Sequence, residues 1–293
     1  MKKFQPHQPR SLFGSLKSLK ALCLKSVDVT DQDVDFFLRN CPLLEHLVVD
    51  YALKILNLNI CGALALKHLG ILYCMNVKSL KVSAPNLTSL RVTNAVALLL
   101  ENVPKLVEVY VSNGYTDVDK LVPSLYCCLS QLEILTLRLN LQKYIEENCK
   151  FPVLPNLKKL EIQYFAEGVE SIMWVTSFMR AAPYLQEFVI KIYWYKFLRT
   201  GRNIKNAIHS PHQHLKVFKF LGYYGRASDV ELVMYLLDNC AMLEKLIIDP
   251  RYQSFNSYAA LDPAEVDAVR TSRNYAKQQL QGQVAQHIDL VIL

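Results

Sequence analysis

One phrase of apolar and variable positions recurs along this chain. Its clearest copy is Leu157-x-x-Leu160-x-Ile162, introduced by Pro155-Asn156. Earlier copies begin at Leu19, Leu44, Leu66, Leu87, Leu106 and Leu132, and later ones at Leu185, Leu215 and Leu243. Successive first leucines lie between 19 and 30 residues apart. The closing x-L-x-L has period two, which predicts a strand with one buried face. The leading Leu fills the same core where the chain bends into the strand. A single coil of this kind cannot bury its apolar face, so neighbouring coils must stack.

Near-regular return at this spacing is the mark of leucine-rich repeats. A doubly wound α/β domain also alternates strands and helices, but ten such returns without a glycine-rich phosphate loop favour the repeats. The expected fold is α/β: a leucine-rich-repeat solenoid with a curved parallel sheet of about ten coils. The gaps between phrases predict helices on the convex side at both ends and short strands in the middle. Thr30-Asp31-Gln32-Asp33 reads as a capping box, followed by the apolar face Val34, Phe37, Leu38 and Cys41, with Pro42 ending the helix. From Leu44 to Leu106 the spacing contracts to 19–22 residues, leaving little room for helices. There a second phrase, Ile55-Leu56-Asn57-Leu58 and Val77-x-x-Leu80-x-Val82, predicts strands. Further on, Ile172, Val175 and Met179 make a helical face before Pro183. Ser228-Asp229-Val230-Glu231 reads as a capping box before a stripe of Val230, Val233, Met234 and Leu237. Asp262, Pro263 and Glu265 predict the start of a last helix, and Ile288 to Leu293 a closing strand. The domain reading is a flexible entry over residues 1–15, the solenoid over 16–250 and a helix–strand cap over 251–293.

Composition adds an ample apolar supply, 52% of residues. The longest apolar run, Ala95 to Leu100, is too short to cross a bilayer. Lys17 and Lys20 interrupt any signal-peptide core, which makes the cytoplasm or nucleus the expected location. Eight cysteines without a C-x-x-C pair fit reduced thiols rather than zinc or redox motifs. The Asn86-Leu87-Thr88 sequon sits inside a repeat and is read as chance. The net charge is +7, and it is concentrated in one place. Lys191, Lys196, Arg199, Arg202, Lys205, Lys216, Lys219 and Arg226 follow one another with no intervening Asp or Glu. Tyr193, Trp194, Tyr195 and Phe197 are interleaved with them, and Tyr223-Tyr224 follow. Aromatic and Arg side chains together favour interface hot spots; the plainer reading is a solvated loop over a core Trp194 and Phe197.

No catalytic phrase is present: no G-x-S-x-G, H-E-x-x-H or G-x-x-x-x-G-K-[ST]. The chain is therefore not expected to be an enzyme. His209, His212 and His214 read as a solvated loop turned by Pro211, and Glu146-Glu147 as a solvated face. No metal site and no cofactor are expected, and nucleic-acid binding has no motif behind it. The candidate binding residues are the variable positions of the strands, side by side on the concave face. They are Arg91, Thr93, Tyr110, Ser112, Thr136, Arg138, Glu161, Gln163, Lys191, Tyr193 and Lys219. Lys191 and Lys219 are expected at matching positions, where their repulsion would suit an acidic partner.

Asn40-Cys41-Pro42-Leu43-Leu44-Glu45-His46-Leu47, Ala84-Pro85-Asn86-Leu87-Thr88-Ser89-Leu90 and the run from Asp238 to Pro250 resemble the repeats of plant F-box proteins with leucine-rich repeats. Arg273-Asn274-Tyr275-Ala276 before the apolar end resembles the C-terminal region of that FBD-like family. The resemblance covers nearly all of the chain from residue 10. It implies that the repeats hold a substrate protein while an F-box docks on the adaptor subunit of an SCF ubiquitin ligase. It also allows an anionic ligand, since some hormone receptors of the wider class bind an inositol phosphate. Only 15 residues precede Leu16, too few for an F-box of roughly forty. The expectation is thus a fragment, or a member without ligase docking. The alternative is a stand-alone leucine-rich-repeat interaction protein with no ubiquitin-ligase link.

Overall fold

The computed structural model describes residues 16–94, 97–113, 123–139, 151–166, 171–194, 210–251 and 263–293. All ten copies of the leucine phrase become strands: β1 (Ala21–Lys25), β2 (His46–Asp50), β4 (His68–Leu72), β6 (Ser89–Thr93), β8 (Glu108–Asn113), β9 (Ile134–Leu139), β10 (Lys159–Ala166), β11 (Glu187–Trp194), β12 (Val217–Leu221) and β13 (Lys245–Asp249). With β14 (Asp289–Ile292) they form an 11-stranded sheet in that order. The pairings resolved within it are parallel. Three more strands, β3 (Asn57–Cys61), β5 (Ser79–Ser83) and β7 (Ala97–Glu101), form a separate parallel sheet. Two compact units divide the chain, one ending at Ile134 and the other beginning at Leu135.

Backbone polarity explains the constant register at the strand entrances. At most of the described strand entrances one carbonyl accepts two successive N–H groups of the next coil. Lys20 O takes Glu45 N at 2.8 Å and His46 N at 3.0 Å, and Glu45 O takes Lys67 N and His68 N at the same distances. The second unit repeats the device: Lys158 O holds Gln186 N and Glu187 N, and Gln186 O holds Lys216 N and Val217 N. Period-two alternation then sends the leucine positions inward. Leu47, Val49, Leu69 and Ile71 are buried in the first unit, and Leu160, Ile162, Phe188, Ile190, Phe218 and Phe220 in the second.

In the first unit, α1 (Asp31–Asn40) starts at Thr30 with the capping box read from the sequence. Asp33 Oδ2 accepts from Thr30 N at 2.9 Å, and Thr30 Oγ1 accepts from Asp33 N at 3.4 Å. Val34, Phe37 and Cys41 are buried while Leu38 is half-buried. Beside this helix, Asp31 accepts from Leu56 N and Asn57 N, satisfying donors at the entrance to β3. The short strands expected in the middle are present with shifted bounds. Ile55 lies before β3, fully buried at the bend, and the apolar run ending at Leu100 supplies β7, a strand that the second phrase did not announce.

The second unit carries α2 (Val175–Ala181), α3 (Ala227–Asn239) and α4 (Pro263–Leu280). The start of α3 differs from the sequence reading. Ala227, not a residue after Ser228, opens the helix, and Asp229 rather than Glu231 turns back to the entry. Asp229 Oδ2 accepts from Tyr224 N at 2.9 Å and Arg226 N at 3.1 Å. The buried face is rotated accordingly: Asp229, Leu232, Val233 and Leu236 point inward, whereas Val230, Met234 and Leu237 are half-buried. Pro263 opens α4 as expected; its expected N-cap Asp262 lies outside the described residues. Ala276 and Leu280 bury one side of this helix, and Gln279 ties it to the α3 entry by accepting from the Tyr223 hydroxyl at 2.7 Å and donating to Gly225 O at 3.2 Å.

Complete burial raises the Asp229 carboxyl from 3.8 to about 6, against the N–H groups of Arg226 and Tyr224 and the Arg226 charge, which favour ionisation. A folded-state pKa above the unfolded one penalises the folded state most above pH 6 and relieves it as pH falls. Between pH 7 and pH 5 this group should add on the order of 1 kcal/mol to stability. Asp229→Asn lacks that gain. Chemical denaturation of both proteins at the two pH values measures the difference, and a gap that does not change with pH would contradict it.

Candidate recognition surface

The variable positions of the strands form rows across the sheet, on the face opposite the leucines. In the first unit His46 stands opposite His68, and their rings stack at 4.3 Å. Burial and the neighbouring His46 push the His68 imidazole below its usual value. The next row places Val48, Gly70, Arg91 and Tyr110 in register, with the Arg91 guanidinium 5.0 Å from the Tyr110 ring centre. Arg91 is exposed and Tyr110 half-buried. Thr93 and Ser112 pair in the third row, but they are only 2% and 7% exposed. Thr93 works inside the fold instead, its hydroxyl accepting from Tyr73 N.

In the second unit Thr136, Arg138, Glu161, Gln163, Lys191, Tyr193 and Lys219 are all half-buried. Lys191 and Lys219 do not occupy matching positions. The register sets Lys191 between Gln163 and Leu221, and Lys219 opposite Val189, one step nearer the strand entrance. Each meets a carboxylate on the preceding strand. Lys191 Nζ lies 2.7 Å from Glu161, and Lys219 Nζ lies 2.7 Å from Glu187, which also meets Lys159 at 3.3 Å. Gln163 donates to Glu161 at 2.7 Å and completes this network. Burial pushes the Glu187 carboxyl up, but Lys219 and Lys159 outweigh it and hold it below the usual range. Of the other cations in the basic run, Lys216 pairs with Glu244 at 3.0 Å and Arg226 is buried near Asp229. Lys196, Arg199, Arg202 and Lys205, with Tyr195 and Phe197, lie outside the described residues. The described part of the run is thus balanced by charges from neighbouring coils rather than repelled by its own.

One contributor escaped the sequence reading. Phe165 stacks on Tyr193, ring centres 4.6 Å apart and planes 12° off parallel, and the Arg138 guanidinium lies 5.1 Å from the Phe165 centre. The two rings are direct partners in the β10–β11 register. Phe165 continues the alternation Lys159, Glu161, Gln163, so following period two beyond the six-residue phrase would have reached it. Arginine over an aromatic pair, next to a satisfied carboxylate–ammonium–amide network, is a surface suited to protein contact.

The histidine loop also departs from its sequence reading. His212 is buried, its pKa lowered by burial and by Arg180, while His214 is exposed against Tyr184. His209 lies outside the described residues. Among the described residues no three His, Cys, Asp or Glu side chains are placed to hold a metal ion. None of the helices there is long and apolar enough to cross a membrane.

Comparison with known proteins agrees with this architecture. The putative FBD-associated F-box protein At1g61330 of Arabidopsis thaliana is 22% identical over 288 residues, covering 90% of this chain and 64% of that protein. The FBD-associated F-box protein At1g61320 of the same plant is 22% identical over 289 residues, covering 90% and 63%. The chain spans just under two thirds of the length of these relatives. Residues 3–288 match the family described as At1g61320/AtMIF1, LRR domain: the chain belongs to that leucine-rich-repeat family.

Proposed function

We propose that this chain is a non-catalytic protein-recognition module, equivalent to the substrate-binding repeats of an F-box adaptor of an SCF ubiquitin ligase. The observation that carries the reading is the Arg138–Phe165–Tyr193 stack on the variable face of the second unit. Two fixed rings and a guanidinium lose little rotamer freedom on contact, and hot spots favour these residue types. The F-box names of the relatives support the adaptor role. The partner's surface matches the paired charges around the stack. An acidic partner would compete with Glu161 for Lys191 and with Glu187 for Lys219, so a partner of mixed charge with an apolar centre fits better.

Phe165→Ser with Tyr193→Ser should remove about 2 kcal/mol of binding, roughly thirtyfold in Kd. A pull-down from Arabidopsis thaliana extract with the wild-type and double-variant chains tests this. Proteins retained by the first and lost from the second are the expected result. Retention of the same proteins by both would place recognition elsewhere. The ligase link is tested separately, by recovering an SCF adaptor subunit with the full-length gene product. Its absence would leave a stand-alone interaction protein.

A further inference from the structure

The bends that follow β1, β2, β4 and β6 share one backbone conformation. Ser26, Tyr51, Tyr73 and Asn94 have φ of 52°, 54°, 50° and 62°. Each N–H reaches the next coil: Ser26 N to Asp50 O, Tyr51 N to Leu72 O, Tyr73 N to Thr93 Oγ1, and Asn94 N to Ser112 O. Left-handed backbone suits Asn and is poorly suited to a bulky aromatic residue. Two of these four places nevertheless hold tyrosine. Alternation after Leu47 and Val49 would send Tyr51 into the core; the left-handed turn directs it outward. Tyr51 is 49% exposed and stacks on half-buried Tyr73, ring centres 4.9 Å apart and planes 16° off parallel. Leu53 and Met75, two residues further along each coil, are 55% and 59% exposed.

The chain shows what completes such a stack. On the Phe165–Tyr193 pair, with nearly the same spacing and tilt, Arg138 lies over the first ring. Arg91 does the same for Tyr110. Among the described residues no cation lies over Tyr51 or Tyr73, and the matching bend of the preceding coil holds exposed Ser26. Carboxylates stand close in sequence. Asp50 precedes Tyr51, and among the described residues its carboxylate has only a long contact of 3.7 Å with exposed Lys25; Asp28 pairs with Lys54. We infer that the Tyr51–Tyr73 stack receives an arginine side chain of a partner protein, whose flanking apolar residues cover Leu53 and Met75. Guanidinium is favoured over ammonium because it is planar, stacks on rings and is weakly hydrated. The proposed contact uses no residue of the Phe165–Tyr193 stack, so it stands whichever partner that stack binds.

The probe is a capped leucine-arginine-leucine tripeptide, with lysine or glutamine at the centre as controls. NMR of protein carrying ring-labelled tyrosine reads its binding. The arginine peptide should shift the Tyr51 and Tyr73 signals saturably and bind about threefold tighter than the glutamine peptide. Tyr51→Asn keeps a residue that accepts the turn and should abolish the Tyr73 shift, while Tyr51→Phe should preserve it. Far-ultraviolet circular dichroism confirms that both variants fold. Equal binding of the glutamine peptide, an unchanged response in Tyr51→Asn, or silent tyrosine signals would overturn the assignment.

Discussion

Leu160→Ala should destabilise the protein by about 2–5 kcal/mol. Leu160 is completely buried, with Leu157 and Ile162 equally buried on its own coil and Phe188 opposite it in the β10–β11 register. Phe188 in turn stacks on Phe218 of the following coil at 5.4 Å. Removing the isopropyl group beyond the β-carbon therefore opens a void between layers held in place from both sides. Strands tied by backbone hydrogen bonds cannot slide together to close it, so the cavity cost adds to the lost transfer energy. Lys159→Ala is the control on the same strand. Lys159 lies on the opposite face and makes a partly exposed pair with Glu187, so its loss should cost less than about 1 kcal/mol. Urea denaturation of the three proteins distinguishes the effects. Near-equal costs for Leu160→Ala and Lys159→Ala would refute the packing account.

Gly222→Ala should cost as much, by a different cause. Gly222 follows β12 with φ of +83°, and its N–H donates to Asp249 O at 2.8 Å. A β-carbon there would sit 2.1 Å from the carbonyl oxygen of Ile192. That obstacle is β11 backbone, held in register with β10 at Tyr164, so no side-chain rotation relieves it. The expected loss is on the order of 3–5 kcal/mol. Gly62→Ala isolates the conformational part, because Gly62 has a similar φ of +77° with nothing within 4 Å of the added carbon. That variant should lose only about 1–2 kcal/mol. Thermal or denaturant unfolding of both variants tests the comparison, and similar losses would show that the close approach to Ile192 is immaterial.

The charged face shows why local reading of a sequence can mislead about a binding site. The run from Lys191 to Arg226 contains no carboxylate, so a window along the chain sees a single sign. Parallel stacking sets residues about one repeat apart side by side, which brings Glu161 to Lys191 and Glu187 to Lys219. The relevant neighbours are one coil away in sequence and adjacent in space. A two-residue difference in phase likewise separated Lys191 from Lys219, because the register follows the leucines and not the spacing of the charges.

By itself, the sequence determined the repeating strand, its inward face and the number of coils that carry it. Those follow from period-two alternation and from the inability of one coil to bury its own leucines. It also determined α1, because Thr30 and Asp33 supply the whole cap within four residues. Only the tertiary structure decided where α3 begins, since the Asp229 carboxylate chooses among nearby N–H donors after the loop from Tyr223 to Arg226 has folded against α4. Only the tertiary structure, too, made Thr93 an internal acceptor and set Phe165 on Tyr193 beneath Arg138. Those contacts depend on register between coils, which hydrogen bonds across the stack establish and which no single repeat contains.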